Sequence, residues 1–152
     1  MPPAFAVERT LGRLGKWLRL MGFDTLLERD CPGGDFAACA AGRTLLTRTR
    51  ARFAGLPAGR SVFIEADDPG AQRAEVVRRC GLRREELRPF TRCLRCNDPI
   101  VPAAREEVER DVSDHVRQTQ EIFSRCPRCG RVYWRGTHTE RALEELGRLF
   151  GA

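Results

Sequence analysis

Lysine is almost missing from this chain: of 27 basic residues, Lys16 is the one that is not arginine. No hydrophobic run is long enough to span a bilayer, and no signal peptide is visible. A cytoplasmic protein with no membrane partner is expected. The sequence contains no internal repeat and no low-complexity tract, which removes solenoids and disordered arrays. It has no Gly-x-Ser-x-Gly element and no glycine-rich phosphate cradle, so serine-hydrolase and P-loop chemistry lack their basic parts. Histidine is scarce. His115 lies in a polar stretch without an evident partner. His138 reads more readily as a backbone-bonded residue than as an acid–base group.

What is present is 152 residues, enough for one or two small domains. Charge is unevenly spread. Residues 1–92 carry 17 basic against 11 acidic side chains, while residues 93–152 carry 10 of each. The positive field therefore belongs to the first part. Guanidinium groups suit bidentate phosphate contacts, so an anionic partner is expected, nucleic acid first. A solvated surface in an arginine-preferring genome is the plainer account of the same composition.

Cys93-Leu-Arg-Cys96 and Cys126-Pro-Arg-Cys129 are separated by 29 residues. Two such pairs can supply four thiolates to one tetrahedral zinc. The residue after each second cysteine, Asn97 or Gly130, is of a type that tolerates positive φ, as a metal knuckle requires. Two disulfides or two redox pairs are the competing readings, less suited to a reducing compartment. Four sulfurs leave no open position for water, so Cys93, Cys96, Cys126 and Cys129 point to a structural Zn2+. The remaining cysteines, Cys31, Cys39 and Cys80, are expected to be free buried thiols.

Taken in order, residues 4–8 read as a buried strand ending in Glu8. Leu11, Leu14, Leu18 and Met21 recur at helical spacing over residues 10–21, and Gly22 stops the helix. Arg9, Arg13 and Lys16 share its other side, as a solvated face or as a phosphate-contacting stripe. Strands are expected at 24–28, 43–47 and 61–65. Helices are expected at 36–41, N-capped by Asp35, and at 70–80. A helical turn at 49–53 leads into a connector, 55–59. After the charged segment 83–92, the cysteine region holds a polar helix at 103–111, a strand at 132–134 and a last helix at 139–150. Alternating strands and helices imply a parallel sheet covered by helices. Ligands of such sheets gather beyond the carboxyl ends of the strands. Glu8, Glu28, Asp30, Asp35, Asp67 and Asp68 all fall near those ends. They could converge on Mg2+ or Mn2+ that grips a phosphate and activates water, or they could simply cap helices.

Three stretches together resemble one family. They are residues 10–25, Thr-Leu-Gly-Arg-Leu-Gly-Lys-Trp-Leu-Arg-Leu-Met-Gly-Phe-Asp-Thr, with the Arg-Thr-Leu-Leu-Thr-Arg run at 43–48; residues 88–97, Arg-Pro-Phe-Thr-Arg-Cys-Leu-Arg-Cys-Asn; and residues 125–138, Arg-Cys-Pro-Arg-Cys-Gly-Arg-Val-Tyr-Trp-Arg-Gly-Thr-His. The chain is similar over nearly its whole length to the Mut-seven C-terminal ribonuclease domain. The resemblance implies a PIN-like three-layer α/β domain with a mostly parallel sheet, residues 1–90, and a zinc ribbon with a C-terminal helix, residues 91–152. It also implies a divalent-metal site and RNA, single-stranded or structured, as substrate. The carried-over acids are Glu8, where the family has Asp, together with Asp35 and Asp67, with Asp68 and Asp30 in reserve. Thr49 stands where the family has a further Asp.

Three functions follow as expectations. The first is a ribonuclease using Mg2+ or Mn2+ on Glu8, Asp35 and Asp67, with Arg13, Lys16 and Arg48 on flanking phosphates. The second is an RNA-binding module that has lost cleavage, which Thr49 favours. The third is a protein-interaction module docking through the zinc ribbon.

Overall fold

A computed structural model describes residues 2–56 and 59–151; Pro57 and Ala58 of the expected connector lie outside them. The chain divides into two compact units, Met1–Asn97 and Asp98–Ala152.

In the first unit four strands pair in parallel: β1 (Phe5–Val7), β2 (Thr25–Leu27), β3 (Thr44–Thr47) and β4 (Ser61–Phe63). Their order is β2-β1-β3-β4. Between them run α1 (Gly12–Leu20), α2 (Phe36–Cys39) and α3 (Arg50–Ala54), and α4 (Pro69–Arg79) follows β4. The α/β class expected from the alternation is the class the chain adopts. β1 is buried at every position, as a central parallel strand covered on both faces must be. Alternation sends Phe5 and Val7 to one face and Ala6 to the other. On the Val7 face α1 approaches through Gly15, where a Cβ would stand 2.2 Å from Leu27 Cδ2, so a larger residue would force that leucine side chain to move. On the other face Ala6 packs with Leu45, Phe36 and Cys31, and Leu26 borders the cluster. Helix, sheet and helix thus form three layers.

The three cysteines expected as free thiols are not all free. Cys31 and Cys39 form a disulfide. Gly33 and Gly34 both take positive φ and turn the chain into the short α2. That turn brings the two Cα atoms to 6.4 Å, within bridging range. Cys80 remains a thiol, and burial pushes its pKa up to about 11.

The second unit holds an antiparallel sheet, order β5-β6-β7, made of β5 (Val101–Ala103), β6 (Phe123–Arg125) and β7 (Val132–Trp134). The polar helix expected at 103–111 is broken up. Ala103 pairs with Phe123 as the end of β5, and α5 (Arg105–Val108) and a 3-10 turn (Glu109–Asp111) follow. The reason is Val108, which is fully buried with Phe123 and Val132 as the small core of this unit. A single continuous helix starting at 103 would remove a strand from that sheet. Next comes α6 (Asp114–Thr119), capped by the Ser113 hydroxyl. The last helix, α7 (Thr137–Phe150), begins two residues earlier than the apolar spacing suggests and buries Thr139 and Leu146.

Candidate functional site

The strand order reverses between β1 and β3: the chain steps from β1 to β2 on one side and from β3 to β4 on the other. Loops leaving such a switch point diverge, and the crevice between them is where α/β sheets bind ligands. The residues that leave β1 and β3 here are Glu8 and the run Thr47, Arg48, Thr49.

Glu8 is 2% exposed, and both of its carboxylate oxygens are saturated by donors. Oε1 accepts from the Thr10 hydroxyl at 2.8 Å and from the Arg48 backbone N–H. Oε2 accepts from the hydroxyls of Thr47 (2.8 Å) and Thr49 (3.0 Å) and from Arg52 Nη1 (3.3 Å). Burial by itself would raise the pKa of Glu8. The Arg48 N–H and the three threonine hydroxyls outweigh it and hold the carboxyl below its ordinary value. The same Arg52 reaches across to Glu28, which follows β2. Its Nη1 lies 3.0 Å from Glu28 Oε1 and its Nη2 lies 2.6 Å from Oε2. Arg9 adds a backbone N–H at 2.9 Å. The Arg52 pairing lowers the Glu28 pKa, and Glu28 in return raises that of Arg52.

The other expected acids stand apart from this cluster. Asp35 caps α2 by accepting from the Ala38 N–H at 3.2 Å. Asp68 caps α4 by accepting from the Ala71 N–H at 3.0 Å. Asp67 is exposed and paired with Arg48, and Asp30 lies 3.6 Å from Arg19. Among the described residues, the group of three or more His, Cys, Asp or Glu side chains close enough to share an ion is Cys93, Cys96, Cys126 and Cys129. As placed, Glu8, Asp35, Asp67 and Asp68 therefore do not fit a shared Mg2+ or Mn2+. Two of them hold helix ends, one is ion-paired, and Glu8 is surrounded by N–H and O–H groups.

The expected phosphate contacts also separate. Arg13 and Lys16 are exposed on α1. Arg48 turns inward and donates to the carbonyls of Ile64, Glu65 and Ala66, which leaves its guanidinium tied to the loop after β4. Glu75 holds that loop from α4 by accepting from the N–H groups of Glu65 and Ala66.

The four cysteine sulfurs all lie within 4.8 Å of one another. A tetrahedron of sulfurs at about 2.3 Å from zinc has edges of about 3.8 Å, so the donor set and its spacing suit a structural zinc. Asn97 and Gly130 take φ of 71° and 78°, as expected of the residues that close the two knuckles. Their N–H groups each donate at 2.9 Å to the carbonyl of the first cysteine of their pair.

Two residues that shape the site escape pattern reading. By sequence, Arg52 is an ordinary surface charge of a helix turn, whereas Glu28 is already marked as an acid at a strand end. Arg19 occupies a core position of α1 and is 2% exposed. Its guanidinium donates to the carbonyls of Thr25, Leu94 and Arg95, fastening the first knuckle to α1. The one signal available for it is the four-residue step from Gly15 to Arg19, which places an arginine on the apolar side.

A four-stranded parallel sheet with helices, in a chain that also presents a four-cysteine centre, defines an α/β domain with a zinc-ribbon element. The chain belongs to the Mut7-C RNAse domain family, whose model matches residues 3–146. No curated protein and no solved structure matches it.

Proposed function

We propose that this chain is a ribonuclease acting at the carboxyl rim of its parallel sheet. The observation that carries the reading is the match to a ribonuclease domain over residues 3–146. Glu8 is the central group, buried and held ionised at the switch point. Asp35, Asp67 and Asp68 stand on the flanking loops. Arg13 and Lys16 meet phosphates of a single-stranded or structured RNA. A Mg2+ or Mn2+ would supply charge neutralisation and an activated water when bound. The carboxylates as they stand leave no place for it, so no step here runs through one. The test is cleavage of labelled single-stranded RNA by the zinc-loaded full chain, with and without Mn2+. Cleavage should fall at least about tenfold in both Glu8→Gln and Glu28→Gln, the scale of a lost charge-assisted contact. Equal cleavage by wild type and both variants would sink the reading, as equal cleavage by Asp35→Ala would remove Asp35 from it.

A second reading is an RNA-binding domain that does not cleave. Arg52 favours it, lying between Glu8 and Glu28, as does Thr49, whose hydroxyl donates to Glu8 where a carboxylate would have added a ligand. Binding that weakens steeply with salt, with no cleavage in any metal, selects this reading.

A further inference from the structure

The ion-pair triad at the switch point has a geometry that bears on metal binding. Arg52 Nη1 sits 3.3 Å from Glu8 Oε2 and 3.0 Å from Glu28 Oε1. Those are hydrogen-bond lengths to a nitrogen. A Mg2+ at the same point would need oxygens at about 2.1 Å, so both carboxylates would have to close in by about 1 Å. Each oxygen of Glu8 already has at least two donors. These donors are not equivalent toward a cation. A threonine hydroxyl can rotate and offer a lone pair to a metal. The Arg48 N–H remains on Oε1, away from the Arg52 side. The guanidinium can do neither, because it has no acceptor and keeps its charge at every accessible pH. Arg52 is therefore the one group of this shell that must leave before an ion can enter. It is also the one best able to leave, since it reaches in from α3 with its side chain 39% exposed.

We propose that Arg52 is a resident cation which holds the place of a divalent ion between Glu8 and Glu28. With Arg52 in position the rim takes no Mg2+ or Mn2+. Once the guanidinium is removed, the two carboxylates and the hydroxyls of Thr47 and Thr49 form a cation site. This goes beyond the ribonuclease reading and does not depend on it, because the probe is the metal alone and no RNA is present.

The experiment titrates the zinc-loaded full chain with Mn2+ and follows free Mn2+ by electron paramagnetic resonance. Manganese is chosen because thiolates bind it weakly compared with zinc, so the cysteine centre stays loaded. Wild type should show no Mn2+ site at the rim. Arg52→Ala and Arg52→Met should each gain one equivalent, bound at least about tenfold more tightly than any Mn2+ on wild type. Adding Glu28→Gln to Arg52→Ala should abolish the gain. Arg52→Lys, which keeps a positive charge, should stay closed. Unchanged thermal unfolding of the zinc-loaded Arg52→Met protein checks that the fold persists. The proposal is overturned if wild type already binds Mn2+ in a Glu8- and Glu28-dependent way. It is also overturned if folded Arg52→Met gains no site, or if Arg52→Lys opens as fully as Arg52→Met.

Discussion

The two units are held together by different means. The first contains many side chains with no exposure at all, among them Phe5, Val7, Leu18, Met21, Leu46, Ile64 and Val76. The second has Val108, Phe123 and Val132 as its cluster, with Val108 alone fully buried. So small a core does not stabilise a unit running from Asp98 to the end of the chain, and small domains of that kind depend on a staple. Cys126 and Cys129, as half of the four-cysteine centre, contribute to it. The largest expected effect follows from this contrast. Stripping the metal with a chelator, or making Cys126→Ser, should remove protection from amides of residues 98–151, because thiolate–zinc binding of about 10 kcal/mol or more is folding free energy there. Amides of β1 and β3 should keep most of theirs. Hydrogen exchange followed by mass spectrometry reads both regions at once. Simultaneous loss of protection in β1 and β3 would break the contrast.

The next effect tests the first unit on its own terms, where shape rather than metal decides. Gly22 ends α1 with φ of +96°, and a Cβ there would lie 2.3 Å from the Arg88 carbonyl oxygen. Strain and collision act together, since the obstacle is backbone and cannot swing away. Gly22→Ala should cost about 3 kcal/mol in denaturant unfolding of the zinc-loaded protein. Gly147 sits inside α7, and a Cβ added there would meet nothing within 4 Å, so Gly147→Ala should gain slightly. Equal effects at the two glycines would remove the distinction.

The same contrast explains what can be read from residues alone. The parallel sheet is legible because its strands are apolar runs set between helical spacings, and the cysteine centre because its spacing is chemically restrictive. Strands β5 and β6 are not, since Val101-Pro-Ala and Phe-Ser-Arg are short and acquire meaning only when paired. The Cys31–Cys39 bridge depends on a Pro-Gly-Gly turn whose path composition does not specify. Glu8 can be placed at the end of β1 by sequence, but its surroundings cannot. Hydroxyls from residues 10, 47 and 49 and a guanidinium from α3 reach it only after β1 and β3 lie side by side. Asp35 and Asp68 suit both caps and ligands by position, and the hydrogen bonds they make are those of caps.

Acid should distinguish the switch point from the rest of the first unit. Glu8 and Glu28 both have folded pKa values below the ordinary 4.5. A lowered carboxyl contributes stability that is complete above its unfolded pKa and is lost as pH falls through its folded one. Thermal midpoints should therefore hold steady from about pH 7 to about 5 and decline below about 4.5. Glu8→Gln should cost about 2 kcal/mol at neutral pH, because an amide NH2 must then face a shell of donors. It should also flatten the decline. A Glu8→Gln protein with the wild-type acid slope would show that this cluster contributes nothing to it.

The smallest effect concerns the exposed side of α1. Arg13 and Lys16 are open to solvent, whereas Arg48 and Arg52 already hold carbonyls or carboxylates. If RNA phosphates are met there, each of Arg13→Ala and Lys16→Ala should weaken binding modestly and reduce the slope of log K against log salt by about one. Stability should change by less than about 0.5 kcal/mol, as for surface positions generally. Arg141→Ala, on the exposed side of α7, is the control and should leave the slope unchanged. A slope that falls only with Arg141→Ala would move the interface out of the basic unit. Equal falls at all three positions would mean that RNA responds to net charge and not to a built surface.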